Sequence, residues 1–126
     1  MDGTVEEIMT TAVVCAKTDY SVKELMEIMD REELHCMPII DCEGFCVGIV
    51  SGADLIRWHK IRKRSTEVYA HEILSHPVIT VSPQIELKDA VKLMISNNIH
   101  HLLVMESGEL IGIVSVMDVL KHFILD

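Results

Sequence analysis

The feature that most constrains this chain is a duplication. Gly48-Ile49-Val50-Ser51-Gly52-Ala53-Asp54-Leu55 returns as Gly112-Ile113-Val114-Ser115-Val116-Met117-Asp118-Val119. A shift of 65 also lays Glu7-Ile8-Met9 on Glu72-Ile73-Leu74, Val13-Val14 on Val78-Ile79, and His35 on His100. The shift drops to 64 after a turn, because Asp41-Cys42-Glu43-Gly44 is one residue longer than Glu106-Ser107-Gly108. Self-similarity this regular means two copies of one supersecondary unit, divided as 1–64 and 65–126. Two copies are too few for a solenoid, so the expected arrangement is a face-to-face pseudo-two-fold pair.

Each copy reads as β-α-β-β-α, which makes the fold class α+β rather than a doubly wound parallel sheet. Val13-Val14-Cys15 and Val78-Ile79-Thr80-Val81 are short β-rich runs. Ser21 opens a helix with Glu24 at the capping-box position, and Pro83 suits the approach to the second helix. Val22, Leu25, Met26 and Met29 share one helical face, as do Leu87, Ala90, Val91 and Met94. Strands follow over Met37–Ile40 and Cys46–Val50, then over Leu102–Met105 and Leu110–Val114, each pair joined by a Gly-containing turn. Pro38 is tolerated near a strand start or at a sheet edge. Closing helices are expected over Asp54–Lys63 and Asp118–Leu125.

The repeated stretch is a β-branched run that ends in Ser with a carboxylate three residues on. That pattern is a helix N-cap, and a strand running into a helix N-terminus is also a place where chains hold phosphates and sugars. One copy alone is explained by its own cap; two copies at matching places favour a ligand.

Composition narrows the classes further. Hydrophobic residues make up 49% of the chain and aromatics 4%, so the core is aliphatic, with eight Met as gap-fillers. The absence of a long apolar run and the acidic start, Met1 to Glu7, speak against a membrane span and a signal peptide and point to the cytoplasm. Cys15, Cys36, Cys42 and Cys46 form no C-x-x-C pair, so they read as reduced thiols. His35, Cys36, Cys42 and Cys46 are too irregularly spaced for a zinc site, and no metal is expected. The net charge of −9 opposes general nucleic-acid binding. Against it stands Arg57-Trp58-His59-Lys60-Ile61-Arg62-Lys63-Arg64, which holds five of the eleven Lys and Arg residues. It reads either as a solvated helix end or as a patch for phosphates or RNA, with Trp58 available for stacking. Asp54 and Asp118 have no neighbouring acid in sequence for general acid–base work, and no nucleophile or P-loop motif is present.

Pro77-Val78-Ile79-Thr80-Val81-Ser82-Pro83, Asn98-Ile99-His100-His101-Leu102-Leu103-Val104 and Gly112-Ile113-Val114-Ser115 with Asp118 together resemble a cystathionine β-synthase (CBS) domain. Glu6-Glu7-Ile8-Met9-Thr10 resembles its lead-in, and Met37-Pro38-Ile39-Ile40 its h-P-h-h strand. The resemblance covers essentially the whole chain and implies a tandem CBS pair. Such pairs are similar to the sensor modules of AMP-activated kinases, IMP dehydrogenases and chloride channels. The family binds AMP, ADP, ATP or S-adenosylmethionine in two clefts between repeats.

Carried over position by position, the resemblance implies that Asp54 holds ribose hydroxyls beside Ser51. Val78 and Ile79 would border the adenine, and His100 and His101 would lie near phosphates. A mirror site would use Asp118, Ser115, Val13, Val14 and His35. Where the family often has Arg after the His, this chain has His101 and Cys36. The resemblance therefore implies a better Asp54 site, and phosphate affinity that rises on mild acidification.

The expected function is that of a regulatory adenosyl-ligand sensor with no catalysis and no catalytic cofactor of its own. It would act on a regulated protein partner or as a homodimer. Ile28, Leu93 and Ile95 lie beside the core stripes of their helices and mark the surface for such a dimer. The alternatives are a ligand-independent scaffold, in which the Ser and Asp pairs only cap helices, and a nucleic-acid binder working through residues 57–64.

Overall fold

The computed structural model describes residues 2–61, 67–74 and 78–125, with 59–61 described by their backbone alone. The chain forms two compact units, Val14–Val78, and Met1–Val13 together with Ile79–Asp126. The first holds β1 (Ala16–Lys17), α1 (Val22–Arg31), β2 (Cys36–Ile40), β3 (Cys46–Ser51), α2 (Gly52–Ile61) and the short α3 (Ala70–Ile73). The second holds a 3-10 turn at Val5–Glu7, then β4 (Thr80–Val81), α4 (Leu87–Ser96), β5 (His101–Glu106), β6 (Glu109–Ser115) and α5 (Val116–Leu125). We refer to them as the β1–β3 and β4–β6 units.

Each unit has a three-stranded sheet of the same design. The central strand, β2 or β5, pairs parallel with the short strand before it and antiparallel with its hairpin partner. The short runs begin at different places. Thr80 pairs with Leu103, whose amide donates to the Ile79 carbonyl at 3.2 Å. The equivalent position in β2 is Pro38, which has no N–H to give, so β1 pairs only from Ala16, opposite Ile39. The strand expected over Val13–Cys15 is thereby displaced to Ala16–Lys17. With no β1 residue opposite it, Pro38 occupies in effect an edge position within a central strand.

The two hairpin turns account for the change of shift. In the longer one, Asp41 Oδ1 accepts from the amides of Glu43 at 2.9 Å and Phe45 at 3.0 Å, and Gly44 takes a positive φ of 89°. The shorter one turns on Ser107 and Gly108, both at positive φ.

The helices follow their sequence signals closely. Ser21 Oγ accepts from the Glu24 amide at 3.1 Å while Glu24 Oε1 accepts from the Ser21 amide at 3.1 Å, a complete capping box. Val22, Leu25 and Met29 of α1 are buried, as are Leu87, Ala90 and Met94 of α4. Met26 departs from the expected face, being 39% exposed, and its counterpart Val91 is half-buried. Both helices end on a left-handed residue, Glu33 at φ 54° and Asn98 at φ 52°. The next amides, of Leu34 and Ile99, donate back to Met29 and Met94 at 2.9 and 3.0 Å.

The lead-in segments are exchanged between repeats. Residues before the first repeat's strand pack on the second repeat. Val5 is fully buried in the β4–β6 core, its amide donates to Ile85, and Leu87 donates to Gly3. Thr10 and Ile113 exchange both backbone bonds, at 2.9 and 3.0 Å. The second lead-in does the same for the first repeat. Val22 donates to Val68 and Ala70 to Tyr20, and Val68, Ala70 and Ile73 are buried in the β1–β3 core. The repeat and the compact unit are thus different divisions of the same chain.

Candidate functional site

The repeated stretch places a carboxylate at the third position of a helix that starts directly from a strand. Asp54 Oδ2 accepts from the Ser51 amide at 2.9 Å and from the Ser51 hydroxyl at 2.9 Å, and the Asp54 amide donates to Ser51 Oγ at 3.2 Å. In the second copy, Asp118 Oδ2 accepts from the Ser115 amide at 2.8 Å, and the Asp118 amide donates to Ser115 Oγ at 3.0 Å. Both are capping boxes with Asp in place of the usual Glu. The cap engages Oδ2 in each. Oδ1 of Asp54 faces Arg57 Nη1 at 3.8 Å, whereas among the described residues Oδ1 of Asp118 has no partner.

The helix N-termini hold less for an anion than a bare end would. The Gly52 amide donates to the His35 carbonyl at 2.9 Å and the Val116 amide to the His100 carbonyl at 3.0 Å. With the Asp54 and Asp118 amides bound to serine hydroxyls, two of the first three amides in each helix are spent. A carboxylate also stands where an anion would approach. The local chemistry is that of an acceptor, suited to hydroxyl donors such as a ribose diol.

The other expected residues fall as follows. Within the β4–β6 unit, His101 sits opposite Ser115 in the sheet register, and His100 lies at the start of α5 through its carbonyl. In the β1–β3 unit, Cys36 stands opposite Ser51, and His35 is at the start of α2. Val13 and Ile79 belong to the β4–β6 unit, Val14 and Val78 to the β1–β3 unit. Val14 and Ile79 also pack against the cores of their units. Sequence reasoning missed the His35 and His100 carbonyls as helix anchors. It placed Arg57 in the basic segment but missed its ion pair with Asp54, although a spacing of three is the i, i+3 signal for one.

The basic segment is described only in part. Trp58 packs against the β1–β3 core rather than standing free for stacking, and Arg62, Lys63 and Arg64 lie outside the described residues. Cys15, Cys36, Cys42 and Cys46 form no disulfide with one another, and no group of metal-ligating side chains occurs among the described residues. Burial pushes the Cys15 thiol above its ordinary value, and the charge of Cys46 pushes it further; burial raises Cys46 as well. No helix among the described residues is long and apolar enough to cross a membrane.

The CBS domain family model matches residues 5–60 and again 70–125. The chain belongs to the CBS domain family. It carries the domain twice, as a CBS pair. An uncharacterized protein of Methanopyrus kandleri, MK0525, is 33% identical over 119 residues, covering 93% of this chain and 61% of that one. The pair thus spans about three-fifths of that relative's length. Inosine-5'-monophosphate dehydrogenase of Methanocaldococcus jannaschii is 26% identical over 118 residues, which are 93% of this chain and 23% of the enzyme. Among solved structures, the CBS domain pair of protein MJ0100 in complex with 5'-methylthioadenosine and S-adenosyl-L-methionine superposes with a TM-score of 0.87 at 23% identity. It covers 98% of this chain and 97% of that one. At that identity the likeness is one of fold.

Proposed function

We propose that this CBS pair is a regulatory module that binds an adenosyl ligand, an adenine nucleotide or S-adenosylmethionine, with Asp54 and Asp118 as the ribose-holding carboxylates. The observation that carries this reading is the repeated Ser–Asp junction, where a cap fixes one carboxylate oxygen and leaves the other directed elsewhere. A carboxylate already oriented by its own helix loses little freedom on binding, so its remaining lone pairs are preorganised acceptors for a diol. Ser51 and Ser115 orient the acids, while Val13, Val14, Val78 and Ile79 border the base and His35, His100 and His101 lie toward the phosphate side. The bound adenosyl complex of MJ0100 supports this class of ligand. The module does no chemistry itself. It passes its ligand state to a protein partner, and two copies of it associate through their helices.

The competing reading is that the Ser and Asp pairs are caps alone and the chain is a ligand-independent scaffold; the observed capping bonds are what favour it. Calorimetric titration of AMP, ATP, 5'-methylthioadenosine and S-adenosylmethionine into nucleotide-free protein separates the two. The sensor reading expects at least one of them to bind below about 1 mM, worth roughly 4 kcal/mol. The scaffold reading expects none.

A further inference from the structure

We infer that Met9 is an oxidation-sensitive latch: its sulfoxide does not fit over Gly112, so a peroxide frees the first lead-in from β6. The lead-in is held at two places. Its start is pinned by backbone bonds from Val5 to Ile85, from Glu6 to Pro83 and from Leu87 to Gly3, around a fully buried Val5. Its end is pinned by the two bonds between Thr10 and Ile113, an isolated bridge on the edge strand of the β4–β6 sheet.

Met9 stands between the two. It packs against the β4–β6 core, and its thioether lies on the backbone of Gly112. A Cβ on that glycine would stand 2.5 Å from Met9 Sδ and 3.0 Å from Met9 Cγ, so the thioether fills the room that a side chain would take. An oxygen added to the sulfur has two outcomes. Kept in place, it overpacks the strand or sets a polar group against an aliphatic core. Swung out to water, the side chain leaves the Thr10–Ile113 bridge without its cover.

The chemistry is simple and balanced. The sulfur gives a lone pair to one oxygen of a peroxide, the O–O bond breaks, the thioether becomes a sulfoxide, and hydrogen peroxide is reduced to water. Met9 is half-buried and within reach of so small an oxidant, whereas Met29, Met37 and Met94 are sealed in the cores. Met26 and Met117 are exposed and oxidise at the surface. The counterpart of Met9 in the second lead-in is Leu74, which packs against the β1–β3 core and has no sulfur to oxidise. Peroxide thus loosens one lead-in and spares the other. Thr10 bridges β6 two residues before Ser115, and Val13 follows in the same unit. Release therefore weakens ligand at the Asp118 site; this consequence, unlike the latch, rests on the ligand reading proposed above.

The full chain carrying Met26→Leu and Met117→Leu tests this, treated with hydrogen peroxide and followed by peptide-resolved hydrogen exchange. The expected result is sulfoxide at Met9 and several-fold faster exchange around Thr10 and Ile113, with Val22 and Ala70 unchanged. Adding Met9→Leu should abolish the response, and Met9→Gln should reproduce it without oxidant. A response that persists in Met9→Leu comes from another methionine, half-buried Met105 included, and overturns the latch. So does a Met9 sulfoxide that leaves exchange unchanged, or a Met9 that oxidises only once the chain unfolds. In titrations with AMP, oxidation should weaken the site left by Asp54→Ala and spare the site left by Asp118→Ala. Equal weakening of both overturns the link to Val13. A protein that binds no adenosyl ligand, oxidised or not, overturns the ligand reading, and the exchange data still decide the latch.

Discussion

Arg57 Nη1 lies 3.8 Å from Oδ1 of Asp54, and the equivalent position beside Asp118 is Lys121, which makes no ion pair among the described residues. The two repeated carboxylates are therefore not the same acceptor. At Asp54 a cation stands beside the oxygen that the cap leaves over, while at Asp118 no cation stands beside that oxygen among the described residues. The Arg57 side chain is 65% exposed, so the pair is weak and screened, and the guanidinium can leave it for a better anion.

The consequence is a difference in ligand charge preference. In an Asp118→Ala background, which isolates the Asp54 site, Arg57→Gln should lower affinity for AMP relative to adenosine. An exposed charge pair is worth about 0.2–1 kcal/mol, so the AMP-to-adenosine ratio should fall by up to about fivefold. Titration of both ligands reads the ratio, and an unchanged ratio removes Arg57 from the phosphate side.

The serine caps predict a stability effect in the absence of ligand. Ser51→Ala and Ser115→Ala each delete an N-cap acceptor, at about 1 kcal/mol apiece. For a chain of this size that is a loss of roughly 3–6 °C in Tm. Ser51→Ala should cost the more of the two, because Ser51 also donates its hydroxyl to Oδ2 of Asp54. Thermal melts of the ligand-free variants check both the size and the order.

The exchanged lead-in makes a sharper prediction at Gly112. A Cβ there would stand 2.5 Å from Met9 Sδ and 3.2 Å from the Thr10 carbonyl. Gly112→Ala should therefore destabilise by about 1–3 kcal/mol, the usual cost of overpacking. Met9→Ala removes the nearer clash, so the double variant should be less destabilised than the sum of the singles. Denaturant titration of the three variants gives the coupling, and strict additivity would mean that Met9 does not lie against Gly112.

Much of the local architecture was legible because it is written in short-range chemistry. Ser21 and Glu24 announce their capping box, the Gly turns fix the hairpins, and Ser51 and Ser115 mark where strands become helices. The helices begin at Gly52 and Val116, directly after the capping serines and two residues before the expected starts at Asp54 and Asp118. The lead-in exchange could not be read. Val5 meeting Ile85, and Val22 meeting Val68, are pairings across long stretches of chain that leave no periodic trace. The start of β1 was misplaced because β-propensity at Val13 and Val14 said nothing of the amide that Pro38 lacks. At the site, the residue types were evident, but the division of labour between Oδ1 and Oδ2 needed coordinates.

The thiols supply a pH prediction. Burial raises Cys15 and Cys46 above the ordinary thiol value of 9.0, so the folded protein keeps their protons when the unfolded chain has begun to lose them. The unfolded state then binds fewer protons, and stability falls as pH rises from that value through the raised ones. Alkylation at pH 8 should proceed first at exposed Cys42 and far more slowly at half-buried Cys15 and Cys46. Peptide mapping after timed quenching reads the order, and equal rates would contradict it.

The most direct test of the ribose-holding carboxylates is titration of an adenosyl ligand into nucleotide-free wild type, Asp54→Ala, Asp118→Ala and the double variant. A hydrogen bond to a charged group is worth about 1.5–3 kcal/mol, so each replacement should weaken its own site about ten- to hundredfold. The double variant should lose both sites. Apo stability will fall in every variant because the carboxylate half of each capping box is also lost, so the ligand-dependent increment decides. If the double variant binds as tightly as wild type, Asp54 and Asp118 are caps and nothing more.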